Sequence, residues 1–384
     1  MNRSLPWLGA ALFIWGVGES MFFLFQPIYL QQLGASPVQI GIILGGFGAA
    51  MTLTHIPAGH LSDRLGRRPM LIGAWLVGVM ATLFMALAVN LTFLVMGLVL
   101  YGLTALVASP LDSYTTAARG SWSVARAITF VSMMFNAGAV IGPLFGGRIA
   151  EHYGFRTVYL IAAGLFILST ICVFSIAAQP RDHHDPENPP AGLSRNRRFL
   201  VFLAVYFFVS VAAYVPQPLT PNFLQNQQGL SLTHIGELIS FGYLGTTVLS
   251  FLLGRLEART GFILGQLGVA AFAAILWRAM GFEWFALGYF LVGGYRTLRG
   301  LGVAQVRAFV HKSQMGLAYG VAETLGSVTT LLAPPLAGYL YSRDPSLMYP
   351  VGLALIALGL IITVSFVPRT TVLPPDHIEL SPNL

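Results

Sequence analysis

The chain has 384 residues, of which 55% are hydrophobic and only 9% are charged. Because soluble domains carry about 25% charged residues, this composition excludes an ordinary water-soluble protein. The formal charge of +7 is spread between apolar runs and forms no basic groove, so we expect no nucleic-acid partner.

Twelve stretches of the sequence are apolar and long enough to cross a bilayer as a helix, which takes about 20 residues. The predicted spans lie at residues 5–30, 38–58, 70–88, 91–111, 127–149, 158–178, 199–224, 234–254, 262–281, 284–306, 316–341 and 347–367. We interpret the first as a retained span, because no small-residue cleavage site follows it. The single cysteine, Cys172, excludes an intramolecular disulfide framework.

A polar, proline-bearing segment at 179–198 divides the predicted spans into two sets of six. Its composition is typical of a linker. We therefore predict an all-α membrane protein with an N-terminal six-helix bundle at 1–178, a C-terminal bundle at 199–367 and a tail at 368–384.

Lysine and arginine are distributed unequally among the predicted loops. If the N-terminus is cytoplasmic, only Arg148, Arg156 and Arg343 fall in loops on the opposite side, while most of the 21 basic residues fall in cytoplasmic loops. Cytoplasmic loops are enriched in these residues. Both termini, the linker and the tail are therefore predicted to be cytoplasmic, in an inner or plasma membrane.

The two halves resemble each other when one is shifted along the other. Residues 36–41 align with 231–236, and residues 59–66 align with 254–261. Near the end of each half, 143–146 aligns with 335–338 at a slightly smaller shift. Transporters built from such repeats bind substrate near the bilayer midplane, between the halves.

The loop after the second span carries Gly, an apolar residue, Asp-Arg, Gly and a basic pair. This pattern resembles the signature loop between helices 2 and 3 of the major facilitator superfamily, and the span count, linker and repeat extend the resemblance over the whole chain. It implies the two-bundle fold of that family and a lock that holds the bundles together in the outward-facing state. The lock residues would be Gly59, Asp63, Arg64, Gly66, Arg67 and Arg68. The alternative is a positively charged loop with one incidental acid.

The fifth span resembles the Gly-x-x-x-Gly-Pro-x-x-Gly-Gly element seen chiefly in the antiporters of this family. Its residues are Gly138, Gly142, Pro143, Gly146 and Gly147. Small residues at this spacing let helix backbones approach closely, so we expect a tight contact between the bundles that limits leakage. Generic small-residue packing is the alternative.

Charged side chains inside spans cost about 2.5–3.5 kcal/mol each, so they mark candidate functional sites. Glu19, past the middle of the first span, is the first candidate for proton coupling or for binding a cationic group. Arg299 and Glu323 lie at similar depth on successive antiparallel spans and are predicted to pair, either permanently or as a switching pair. Arg296, one turn deeper, would then face the cavity as a free cation. It would suit a carboxylate or phosphate on a substrate, or Glu19 across the cavity.

The fourth span lacks the arginine that proton-coupled exporters of the family often carry there, which moves attention to Arg296 and Arg299 in the tenth. Weaker candidates for substrate contact are Gln26, Asn136 and Tyr243.

The sequence contains no phosphate-binding Gly-x-x-x-x-Gly-Lys-Ser/Thr loop, metal-binding motif or nucleophile elbow. We therefore expect no enzyme, cofactor or metal. Our leading hypothesis is a monomeric secondary transporter that exports a small organic molecule by alternating access, with protons as coupling ions and lipids as surroundings. The alternatives are an uptake symporter or uniporter of the same fold, and a lipid translocase or non-transporting membrane sensor or assembly factor.

Overall fold

The structure is a computed structural model that describes residues 4–179, 196–306, 309–310 and 315–367. Within these residues it consists of α-helices and short 3-10 turns, without β-strands. The predicted tail and almost all of the predicted linker lie outside the described residues. The predicted fold class, an all-α membrane protein with two pseudo-symmetric six-helix bundles, is confirmed.

The first bundle contains seven helices. They are α1 (Ser4–Ser20), α2 (Gln26–Gln32), α3 (Pro37–Leu65), α4 (Arg67–Ala86), α5 (Leu91–Gly102), α6 (Ala108–Ala118) and α7 (Val124–Phe174). Short 3-10 turns, Phe23–Phe25 and Leu103–Val107, join α1 to α2 and α5 to α6, so each pair makes one span. The 51-residue α7 contains two predicted spans, which meet at Gly154 (φ 78°, ψ 163°), a conformation that glycine adopts without a Cβ clash.

The second bundle contains eight helices. They are α8 (Arg197–Tyr214), α9 (Thr220–Asn226), α10 (Leu232–Leu253), α11 (Ala258–Arg278), α12 (Phe282–Val292), α13 (Gly294–Gln305), α14 (Met315–Arg343) and α15 (Met348–Phe366). Polar side chains before four helices accept a hydrogen bond from the backbone N–H three residues on, which satisfies a helix-end donor. These caps are Asn90, Ser123, Asn196 and Ser231.

Length and composition identify nine candidate membrane spans among the described residues, and one of them, Arg126–Phe174, contains two predicted spans. The predicted spans at 284–306 and 316–341 are not among the nine. The first is divided between α12 and α13, which have 11 and 12 residues. The second forms α14, which is rich in small and polar residues. Both still pack as helices of the second bundle.

The bundles touch through backbone at two places. On α3, a Cβ added to Gly41 would overlap the carbonyl oxygen of Pro334 on α14. On α10, a Cβ added to Gly236 would overlap the carbonyl oxygen of Pro143 on α7. Only glycine permits this approach, in which a glycine Cα lies against a carbonyl of the other bundle.

These two contacts are copies of each other. Gly338 lies against the Pro37 carbonyl, and Gly147 lies against the Leu232 carbonyl at the matching position of the other pair. The repeat therefore equates Pro143 with Pro334, one residue away from the predicted alignment with Pro335. The sequence alignment is wrong by one residue because two prolines are adjacent there, and the ring of Pro335 packs against Gly45 instead.

Amide side chains join the bundles at the same end. Gln31 on α2 and Asn226 on α9 exchange hydrogen bonds of 2.9 and 3.2 Å. Asn222 donates to Oε1 of Gln31 at 2.6 Å and to the Pro27 carbonyl at 3.1 Å. We call this end, with Gln31, Asn226 and the two glycine contacts, the closed end.

Two acidic side chains add contacts at the closed end. Glu151 on α7 accepts a hydrogen bond of 2.8 Å from the backbone N–H of Thr233, in the first turn of α10. Arg148 lies 4.0 Å from Glu237 of the same helix. From this end the space between the bundles widens into a cavity that reaches Asp112 and Glu323, whose side chains are exposed.

We predict that Gly41→Ala weakens the closed end, because the new Cβ overlaps the Pro334 carbonyl. Overpacking of this kind costs about 1–3 kcal/mol, so the closed population should fall about tenfold. The measurement is the yield of a short thiol crosslinker between Gln31→Cys and Asn226→Cys, in a background without Cys172.

The matched control is Gly46→Ala on the same helix, where nothing lies within 4 Å of the added Cβ. This variant should crosslink as the parent does. Equal yields in Gly41→Ala and Gly46→Ala would contradict the assignment of Gly41 to closure.

Candidate functional site

The cavity between the bundles has two chambers of about 360 and 550 Å³. Glu19, Phe23, Phe47 and Met51 line both chambers, so the chambers meet at these residues. The smaller chamber lies within the first bundle, and both bundles bound the larger one. Ligand pockets usually measure about 300–1,000 Å³, so the cavity has room for a small organic molecule.

Glu19 lies where the two chambers meet, near the end of α1, and its side chain is half-buried. Trp15, one turn earlier, donates a 2.9 Å hydrogen bond from Nε1 to Oε2 of Glu19. Tyr101 on α5 lines the smaller chamber with Glu19. A hydrogen bond to an ionised group contributes about 1.5–3 kcal/mol, so Trp15 holds the carboxylate in place.

Trp15 is itself held by packing. Its ring stacks on Phe166, with the centroids 3.8 Å apart and the planes at 4°. On another side it meets Trp75 at 5.2 Å, and Nε1 of Trp75 donates to Oγ of Ser169 at 2.7 Å. Gly78 on α4 leaves the space for the ring, because a Cβ there would overlap it. The position of the Glu19 carboxylate thus depends on α4 and α7 as well as on α1.

The glycines of α7 fix the backbone of α1. Added Cβ atoms at three of them, one turn apart, would overlap atoms of α1 or of Met21, the residue that follows it. These are Gly138 against Phe13, Gly142 against Ser20 and Val17, and Gly146 against Met21. The other two residues of the element, Pro143 and Gly147, lie against α10. The element therefore contacts its own bundle with one face and the opposite bundle with the other.

Arg296 on α13 lies in the wall of the larger chamber and is exposed to it. Its guanidinium lies 5.2 Å from the ring centroid of Tyr243, a cation–π contact. It lines the same chamber as Glu19, which belongs to the opposite bundle. In the described part of the chain no salt bridge within 4.0 Å joins the two side chains, so a gap remains between them.

Arg299, one turn toward the mouth, has a direct partner. Its guanidinium donates to Glu323 on α14 at 3.4 Å, and the two side chains are 28% and 56% exposed. Tyr206 lies nearby, but among the described residues neither its hydroxyl nor Nε of Arg299 has a hydrogen-bond partner. Gly326 makes room for the guanidinium, because a Cβ there would overlap the guanidinium atoms.

The weaker candidates fall at different places. Tyr243 and Asn136 line the cavity, Tyr243 in the larger chamber and Asn136 in the smaller. Gln26 is 2% exposed and does not line either chamber. Among the described residues, Oδ1 of Asn136 and Nε2 of Gln26 have no hydrogen-bond partner.

Sequence reasoning missed two residues of the site, Tyr101 and Trp75. Both lie in spans without charged residues, so nothing marked them as polar partners. The available signal was a single tyrosine hydroxyl at the end of α5, an apolar helix whose only other polar side chain is Thr92.

The predicted lock is described only in part. The side chains of Gly59, Asp63 and Arg64 lie outside the described residues, so their role stays a prediction. Gly66 precedes α4 with φ 91° and ψ 155°. Arg67 donates to Oε1 of Gln179 at 3.3 Å, and Arg68 donates to the Phe174 carbonyl at 2.8 Å, both at the end of the same bundle.

The second bundle repeats the Arg68 contact. Arg259, the second residue of α11 as Arg68 is of α4, donates to the Val364 carbonyl of α15 at 2.8 Å. In each bundle an arginine thus ties the start of the third span to the end of the sixth.

Comparison with known proteins places these features in a family. The family model of the Major Facilitator Superfamily matches residues 8–261 and 202–382. The tetracycline resistance protein, class H, of Pasteurella multocida is 24% identical, with 97% of this chain and 98% of that protein covered. The multi-drug resistance efflux pump PmrA of Streptococcus pneumoniae is 30% identical over 47% of this chain and 46% of its own length.

Comparison with solved structures agrees with this family assignment. A crystal structure of the nucleoside transporter NupG matches with a TM-score of 0.76 at 12% identity, over 95% of this chain and 98% of that one. At this identity the likeness shows the fold.

We predict that Gly326→Ala breaks the Arg299–Glu323 pair, because the added Cβ displaces the guanidinium. The thermal unfolding midpoint in detergent should fall by roughly 2 °C. Glu323→Gln should cause a similar fall, and the two changes combined should cost less than their sum, since both remove one interaction.

Gly320→Ala on the same helix is the matched control, because an added Cβ there meets nothing within 4 Å. This variant should not lower the midpoint. Additive effects of Gly326→Ala and Glu323→Gln would show that the glycine acts independently of the pair.

Proposed function

The chain belongs to the major facilitator superfamily, and we propose that it exports a small organic molecule by alternating access in exchange for protons. The observation that carries the proposal is Glu19, a carboxylate at the junction of the two cavity chambers that faces Arg296 of the opposite bundle. The tetracycline and multidrug efflux relatives support the direction.

The predicted orientation gives the structure a place in the transport cycle. If the N-terminus is cytoplasmic, the closed end faces outward and the mouth at Asp112 and Glu323 faces the cytoplasm. The structure then corresponds to an inward-facing state, in which an exporter takes up its substrate. The proposed sequence boundaries, with a cytoplasmic linker at 179–198 and tail at 368–384, are consistent with this orientation.

Glu19 couples substrate movement to proton movement through its charge. An ionised carboxylate in low-dielectric surroundings needs a positive partner, which a cationic group of the substrate supplies. A proton on the same carboxylate removes the need for that partner. Proton and substrate therefore exclude each other at Glu19, and this exclusion is what an exchanger requires.

The remaining predicted elements act on the conformational change. We propose that the Asp63-centred loop holds the bundles together at the cytoplasmic end in the outward-facing state. The Arg299–Glu323 pair lies at the mouth that must close, with Glu323 half-exposed. Its carboxylate is thus free to change partner when the mouth narrows, and a permanent pair is the alternative.

The test uses purified protein in liposomes with an internal pH dye and tetracycline as the first substrate, followed by other aromatic drugs. We expect substrate-dependent proton movement in the parent, because proton and substrate exclude each other at Glu19. Glu19→Gln should abolish this movement, since glutamine cannot release a proton.

The control is Glu283→Gln, which changes an exposed acid in the first turn of α12 and should leave proton movement unchanged. If no substrate moves protons and Glu19→Gln transports as well as the parent, the coupling assignment is wrong.

We also predict that Gly78→Ala lowers coupled transport, because its Cβ displaces the Trp15 ring and with it a hydrogen bond to Glu19. Loss of a hydrogen bond to an ionised group costs about 1.5–3 kcal/mol, so the proton-coupled rate should fall about tenfold. The measurement is the same liposome assay at matched protein content.

Gly73→Ala, on the same helix α4 with nothing within 4 Å of its added Cβ, is the control and should transport normally. Normal transport by Gly78→Ala as well would mean that Trp15 does not position the carboxylate.

A further inference from the structure

We propose, building on the proposed function, that the substrate is a small dipolar ion with an aromatic body. Its cationic group would lie on Glu19 and its anionic group on Arg296. The site would thus be built for a molecule that carries one charge of each sign and spans the gap between the bundles.

The charged side chains that line the cavity lead us to propose a dipolar substrate. Among the described residues, five ionisable acids and arginines line the chambers: Glu19, Asp112, Arg296, Arg299 and Glu323. Arg299 and Glu323 pair with each other at 3.4 Å. Asp112 is exposed and lies at the mouth, in the smaller chamber. One carboxylate and one guanidinium therefore remain in the interior of the cavity.

The two remaining charges face each other without closing the gap. Glu19 belongs to α1 of the first bundle and Arg296 to α13 of the second, and they interact electrostatically without a salt bridge within 4.0 Å in the described part of the chain. Glu19 accepts a hydrogen bond from Trp15, and Arg296 lies against the face of the Tyr243 ring. Among the residues that the structure describes, neither side chain has an opposite charge in contact.

A ligand must satisfy both sides to gain from this arrangement. A purely cationic ligand neutralises Glu19, so Arg296 loses its distant negative counter-charge. The ligand also places a second positive charge near Arg296. A purely anionic ligand on Arg296 does the same to Glu19. A dipolar ion offers each wall its opposite charge, so it meets no uncompensated charge in the low-dielectric cavity.

The walls around these two charges suit a flat apolar body. Trp15, Phe23 and Phe47 surround the junction of the chambers on one side. On the other side, Tyr214 and Tyr295 stack with centroids 5.3 Å apart and planes at 20°. Aromatic rings pack on such surfaces in offset or edge-to-face contacts that contribute about 0.5–1.5 kcal/mol beyond area burial.

The experiment is a charge ladder on two aromatic scaffolds, tryptophan and the dipeptide of two phenylalanines. Each is used as the free dipolar form, the amide (a cation), the N-acetyl acid (an anion) and the N-acetyl amide (neutral). Binding to the purified full chain is measured by calorimetry at pH 7. On at least one scaffold, we expect the dipolar form to bind about tenfold more tightly than each of the other three.

Two variants test which side chain binds which charged group of the ligand. Glu19→Gln should remove the advantage of the dipolar form over the anion, and Arg296→Gln should remove its advantage over the cation. The charge-conserving Glu19→Asp and Arg296→Lys should keep the order of the ladder. Glu283→Gln and Arg278→Gln, which change exposed residues remote from the cavity, should leave the ladder unchanged.

Several results would overturn the proposal. These are a singly charged or neutral form that binds as tightly as the dipolar form on both scaffolds, absence of binding by all forms, and a dipolar preference that survives both glutamine variants. Tighter binding of a short-chain phosphatidylethanolamine than of both dipolar probes would also overturn it, in favour of a lipid headgroup. If a glutamine variant does not fold, the ladder on the parent decides.

The outcome is separable from that of the proposed function, which the liposome proton assay scores. A preferred dipolar ligand that moves no protons would sink proton exchange and leave the substrate class standing. Proton movement driven best by a singly charged ligand would sink the substrate class and leave proton exchange standing.

Discussion

A carboxylate inside a hydrocarbon layer has to be held by dipoles and by an opposite charge, and much of the first bundle is arranged to meet this requirement at Glu19. Trp15 donates to it, and Tyr101 lines the chamber beside it. The ring of Trp15 in turn needs the missing side chain of Gly78 and the flat face of Phe166. The α7 glycines bring the α1 backbone close enough for this packing. Helix packing and site electrostatics are therefore parts of a single arrangement.

The second bundle contributes positive charge to the cavity. Of the two arginines on α13, Arg299 is neutralised by Glu323 and Arg296 is left facing the first bundle. The repeat places matching helices opposite each other, but the charges on them do not match. The two bundles thus share a repeated fold but not their charges. The cavity wall of the first bundle carries the negative Glu19, and that of the second carries the positive Arg296.

The fold was largely predictable from the sequence, because apolar runs of span length, a polar midpoint and a repeat are long-range patterns that small errors do not disturb. The register was less so: the adjacent prolines at 334–335 misled the alignment by one residue. At the site, Arg299 and Glu323 are predicted to pair because they are charged residues at similar depth on successive spans. Tyr101 and Trp75 were missed because aromatic side chains in a span look alike until packing shows what lies beside each polar atom, as Ser169 does beside Nε1 of Trp75. Polarity alone makes Gln26 a candidate, but polarity does not reveal the direction in which its helix turns it.

The glycine contacts at the closed end have a consequence for how such a protein diversifies. Gly41 and Gly236 meet carbonyl oxygens of the opposite bundle, so these contacts involve backbone atoms and place few demands on neighbouring side chains. The residues that line the cavity can therefore be exchanged during evolution without rebuilding the contacts that close this end. Packing at the closed end and the chemistry of the cavity wall are thus separate properties of the sequence.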